Sequence, residues 1–174
     1  MNTKLLEAID IVMAVPPSDF NGNITSDYVC LKNYAGCLVV VMKPAGTAGD
    51  DLSLQLYQAT DVSASGEKAL TFDRLYHKVG AQTGVTQFTR ADLATPTADL
   101  DTVSVNGVDL EADSVEALFV IDIKASELDV SNGFDCLCFK NDGGDVGNST
   151  ICAVAIIPYG ARYPGAIPLS SIVD

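Results

Sequence analysis

Between Gly36 and Met42 the chain is apolar at every position, a short valine-rich run of the kind that forms a strand buried on both faces. Beyond it Leu52, Leu54 and Leu56 alternate with Ser53, Gln55 and Tyr57, the period of two that marks a half-buried strand. A glycine-rich stretch, GTAGDD, separates the two runs. A phosphate-gripping loop would open a helix and end in Lys and Ser or Thr, whereas this one opens a strand and ends in Asp50 and Asp51. It reads as a turn, with glycine supplying positive φ angles.

The same patterns predict further strands over 28–32, 69–79, 86–89, 117–124, 134–140 and 150–158. The stretch 150–158 is apolar on both faces and reads as a central strand, whereas 117–124 alternates on Phe119, Ile121 and Ile123. Asn33, Ser65-Gly66, Asn106-Gly107, Asn132-Gly133 and Gly143-Gly144 supply turn chemistry between the runs. About eight short strands punctuated in this way predict an all-β protein, a jelly-roll-like antiparallel β-sandwich. The polar, acidic stretch 92–116 is expected to cross between sheets or to leave the body as an excursion with a hairpin at Asn106-Gly107.

The ends depart from this pattern. Leu5, Leu6, Ile9, Val12 and Met13 fall on one face of a short helix that Pro16-Pro17 would end. They equally suit an extended arm on a neighbouring subunit, or an edge strand folded back on the chain's own sandwich. Residues 1–20 are therefore read as an N-terminal segment and 21–174 as one sandwich domain, with an extended C-terminal tail over 159–174 carrying Tyr163 and Ile167. The chain has 174 residues, enough for one full core without disulfide staples.

Charge narrows the function classes. A net charge of −13 argues against recognition of nucleic acid through phosphates, which needs patches of Lys and Arg. No apolar stretch approaches the roughly 20 residues of a membrane span, so neither nucleic acid nor membrane is an expected partner. The opening MNTKLLEAIDIVMAV is interrupted by Glu7 and Asp10 and lacks a small-residue cleavage site, a poor signal peptide. The five cysteines, at 30, 37, 136, 138 and 152, form no C-x-x-C pair and read as small buried hydrophobes of a chain made in a reducing cytoplasm.

Candidate chemistry is sparse. His77 is the only histidine and reads as structural or half exposed rather than as a general base. Asp142 and Asp145, in the KNDGGDVGNS stretch, offer the hard oxygens that calcium prefers, but their spacing matches no EF-hand and an acidic turn is the simpler reading. No catalytic residue, cofactor site or resident metal is expected.

Four stretches carry a resemblance. They are DYVCLKNYAGCLVVVMKPAGTAGDDLSLQLYQATDV, EKALTFDRLYHKVG, VEALFVIDIKASELDVSNGFDCLCF and the closing ARYPGAIPLSSIVD. Leu31 to Tyr34, the Gly46 to Asp51 loop with Gln58 to Asp61, the stretch from Glu127 to Asp135, and Arg162-Tyr163-Pro164 are its most specific parts. In these the chain resembles small structural proteins of tailed-phage virions, the capsid decoration (cement) proteins among them. The resemblance implies a jelly roll assembled on the outside of a preformed capsid, with the major capsid protein and its own copies, as a homotrimer, for partners. It implies no enzymatic residues, and it places a protein made in the host cytoplasm on the virion exterior. Leu5, Leu6, Ile9, Val12, Met13, Tyr163 and Ile167 are then the candidate interface residues. Another virion role, at the head–tail joint, the tail or a head-fibre base, and a glycan-binding jelly roll remain as alternatives.

Overall fold

A computed structural model of the chain describes residues 5–46, 53–80, 87–100, 104–105, 108–109, 116–142, 151–162 and 171–172. Two antiparallel sheets carry the architecture. Its strands are β1 (Val12–Asp19), β2 (Asn23–Thr25), β3 (Val29–Cys30), β4 (Gly36–Lys43), β5 (Leu54–Ala59), β6 (Lys68–Ala69) and β7 (Phe72–Val79). They continue with β8 (Thr89–Thr97), β9 (Ser104–Val105), β10 (Val108–Asp109), β11 (Ala117–Lys124), β12 (Cys136–Asp142) and β13 (Ile151–Tyr159). One sheet runs β1-β13-β4-β11-β7-β8 and the other β2-β12-β5-β6, with β3 also on β12 and β9-β10 forming a separate hairpin.

The inner faces of both sheets meet in one core. Val39, Val41, Phe119, Ile121, Val154 and Ile156 of the six-stranded sheet join Leu54, Leu56, Leu137 and Phe139 of the other in one buried cluster. Alternation explains the choice, because residues two apart on a strand share a face. Phe20, where the chain leaves β1 for the second sheet, stacks on Phe139 with ring centroids 6.1 Å apart. Buried Asn141 pins that crossing by donating from Nδ2 to the carbonyls of Phe20 and Gly22, each at 2.9 Å.

β2 and β3 are two halves of one interrupted strand along β12. Thr25 pairs with Lys140 and Cys30 with Cys136, so one extra residue separates the two registers. Ser26 fills the break, its Oγ accepting the Phe139 N–H at 3.0 Å.

The N-terminal segment is not a helix. Leu5–Glu7 forms a single 3-10 turn and β1 follows, pairing antiparallel with β13 in this same chain. Ala14 and Val15 are buried, while Pro16 and Pro17 sit inside the strand where its register with β13 slips. Proline suits such a place, since an irregular edge strand asks little of its N–H. The strand expected over 28–32 shrinks to Val29–Cys30, and the run 69–79 breaks at Leu70-Thr71 into β6 and β7. The polar stretch expected to cross or leave the body over 92–116 begins instead as strand: β8 reaches Thr97, an edge strand whose polar residues face solvent.

Candidate functional site

β4 and β13 are apolar on both faces, and only one face of each meets the core. The register sets Leu38 beside Ile157, Val40 beside Ala155 and Met42 beside Ala153 on the other face. Across β4's opposite edge the same three residues face Asp122, Val120 and Leu118. Three adjacent strands thus present a grid of nine side chains in which Asp122 alone is charged. The interior positions are half-buried by their own neighbours, and Met42, at 45% exposure, stands clear of the sheet. Tyr76 and Lys78 of β7 continue the rows beside Val120 and Leu118.

A charged clasp closes one end of this face. Tyr159 Oη donates to Asp122 Oδ1 at 2.5 Å, and Lys124 Nζ lies 2.5 Å from the same phenol oxygen and 2.8 Å from Asp122 Oδ2. The bond to Asp122 is the main reason the Lys124 ammonium is held above its ordinary range. At the other end a shallow cleft of about 420 Å³ runs between Pro17, Met42, Leu118 and Ile151.

The expected interface residues fall into three groups. Leu5, Leu6 and Met13 are exposed, at 71, 61 and 68%. Ile9 and Val12 are half-buried within the chain, Ile9 bridging to Tyr159 and Val12 pairing with Ile156. Tyr163 and Ile167 lie outside the described residues, as do Asp145 and the Asp142 side chain. The residues missed from the sequence are those of the outer grid, Leu38, Val40, Val120 and Ile157 among them. Their signal was present as the two-sided apolarity of 36–42 and 150–158, which reads as burial whatever covers the second face.

All five cysteines are buried thiols. Burial pushes Cys138 up to about 11 and raises Cys37 as well, so neither is a ready nucleophile. His77 sits on β7 opposite Phe119, and burial lowers its affinity for a proton. Neither of its ring nitrogens has a hydrogen-bond partner among the described residues, which is not how a general base is oriented. Among the described residues no helix is long and apolar enough to cross a membrane.

No family model, no curated protein and no solved structure matches the chain.

Proposed function

We propose that the chain is a non-enzymatic structural protein of a tailed-phage virion, a capsid decoration protein that binds the outside of the major capsid lattice as a homotrimer. The observation that carries this reading is the apolar outer face of β13, β4 and β11, on which no other described strand packs. Strands apolar on both sides belong to sheets covered on both sides, and here the described residues pack a second sheet on one side only. A five-residue stretch of three strands spans roughly 14 by 17 Å, or about 240 Å². That is a fraction of the about 800 Å² each partner gives to a standard interface, so the grid would serve as its dry centre. Exposed Leu5, Leu6 and Met13 adjoin it through β1 and would enlarge the contact.

The strand order supports the finer reading of the fold. β1-β13-β4-β11 opposite β2-β12-β5-β6 is consistent with two interleaved Greek keys, with β7 and β8 added at the edge of the first sheet. We read this as a jelly-roll order, of the kind common among viral capsid domains. The acidic surface suits a position outside the capsid, where no contact with DNA is required.

Sedimentation tests the reading. The purified chain is expected to run as a trimer and to pellet with heads of the phage that encodes it. Val40→Glu and Ile157→Glu, which place a charge at the centre of the face without touching the core, are expected to keep the circular dichroism spectrum and lose both properties. A wild-type chain that stays monomeric and remains in the supernatant with the heads would overturn the proposal.

A further inference from the structure

Cys30 and Cys136 face each other across two strands, and Asp135 closes on them. The Leu31 N–H donates to the Asp135 carbonyl at 2.7 Å, which sets a hydrogen-bonded step at 31 and 135, although the Asp135 N–H turns to the Ala59 carbonyl at 3.3 Å. Cys30 and Cys136, one step along, are register partners and so form a non-hydrogen-bonded pair. At such a position the strands come closest, with Cα atoms about 4.5 Å apart and the two side chains on the same face. In agreement, the Cys30 N–H turns away and donates to the Ser171 carbonyl at 2.6 Å.

Asp135 precedes β12, where the chain has not yet taken up strand alternation, and its carboxylate reaches the same spot. The Cys136 thiol donates to Asp135 Oδ1 at 3.2 Å. The two sulfurs and the carboxylate oxygen all lie within 4.8 Å of one another. Lys32 and Arg162 line the cleft that Asp135 borders, yet among the described residues Asp135 forms no ion pair with either. Its charge is directed at the thiols.

We propose that Cys30, Cys136 and Asp135 form a binding site for a thiophilic divalent cation of the zinc class. Around a tetrahedral zinc, with bonds of about 2.3 Å to sulfur and about 2.1 Å to oxygen, neighbouring donors stand roughly 3.5–3.8 Å apart. The 3.2 Å between Cys136 Sγ and Asp135 Oδ1 need open by only a few tenths of an ångström, and the other two separations, at most 4.8 Å, need change by no more than about an ångström to reach those places. Two thiolates and one carboxylate suit a borderline-soft cation and disfavour calcium or magnesium, which take oxygen donors. Of the three ligands Asp135 alone borders a cleft, of about 380 Å³, and is the side from which an ion would approach the two buried thiols. Binding displaces one proton from each thiol to solvent, and no redox step is involved.

Cobalt(II) reports on such a site directly. Titrated into the full chain, reduced and freed of metal, it is expected to give one equivalent of a thiolate-to-cobalt charge-transfer band that zinc bleaches. Cys30→Ser and Cys136→Ser should abolish the band, and Asp135→Asn should weaken binding by more than about tenfold. Cys152→Ser, on β13 in the other sheet, should change nothing. Because the first two variants could also disturb packing, the wild-type melting temperature is read with zinc and with magnesium. It is expected to rise with zinc alone and to saturate at one equivalent. Absence of the band and of that rise would overturn the proposal. So would a band that survives in both cysteine variants, or an intact mass showing Cys30 and Cys136 joined as a disulfide in the chain as purified.

Discussion

Gly36 lies against the ring of Tyr159, so closely that a Cβ at position 36 would stand 2.7 Å from the phenol oxygen. The same atom would come 2.5 Å from the Ile123 carbonyl oxygen, which belongs to the backbone of β11. Gly36 starts β4 between these two strands, where its register partners are Tyr159 and Lys124. Glycine is required there by space alone.

Gly36→Ala is therefore expected to destabilise the fold by about 1–3 kcal/mol, the range for overpacking a tight site. Urea denaturation measures it. Tyr159→Phe on the same background removes the phenol oxygen but leaves the Ile123 carbonyl, so most of the loss should persist. Gly22→Ala, with open space around its added Cβ, is the control and should shift the midpoint little.

Asp129 predicts an acid-side response. Lys68, then Asn132 and Ser131, hydrogen-bond its carboxylate and lower its pKa from 3.8 to about 2. A carboxyl held low in the folded chain contributes stability at pH above about 4, and that contribution is lost as pH falls toward about 2. Asp129→Asn should flatten this part of the pH–stability curve while leaving its shape above pH 5 unaltered. A curve that keeps its full acid limb in the variant would assign the effect elsewhere.

His77 gives a second window with its own sign. Burial lowers its pKa from 6.5, so the unfolded imidazole takes a proton before the folded one does. Stability is full above about pH 6.5 and declines as pH falls through that value, until the folded group is protonated too. His77→Leu should remove this decline. It should also stabilise the chain at pH 7, by up to about 1–3 kcal/mol, since the replaced ring carries buried nitrogens without hydrogen bonds among the described residues. Thermal melts of both proteins at pH 5 and pH 8 make the comparison.

Deleting residues 1–17 removes most of β1, including buried Ala14 and Val15 and the half-buried Val12. At about 1.5–3 kcal/mol for each large buried side chain, the loss should reach about 3 kcal/mol. The truncation also uncovers the length of β13 as an apolar edge, so aggregation on warming is expected. A truncated chain that melts as the full one does would show that β1 is dispensable to the fold.

What could be read in advance followed local pattern strength. β4 and β11 follow the expected runs, over Gly36–Lys43 and Ala117–Lys124, and β9 pairs with β10 as the expected hairpin requires. β1 was hidden because Leu5, Leu6, Ile9, Val12 and Met13 fit a helical period as well as a strand, and because Pro16-Pro17 reads as a stop. Only the long-range pairing of Val12 with Ile156 decides between them. β8 was hidden by the polar residues of an exposed edge. The outer grid was visible as two-sided apolarity, but whether a second layer of the same chain would cover it depends on topology. The meeting of Cys30 with Asp135 and Cys136 likewise arises from register, which no local pattern encodes.

The pairing of β1 with β13 also sets an order of events during synthesis. Val12 and its partner Ile156 are separated by most of the chain. At roughly 5–20 residues per second the ribosome needs about 7–30 s to travel that distance. Throughout that interval β1 has no partner, and β4, once made, lacks β11 along one edge until Lys124 is reached and β13 along the other until the end. The six-stranded sheet can close only near the end of translation. Until then its most apolar strands are open to other nascent chains, so the yield of native protein should depend on how fast the last fifth of the message is read.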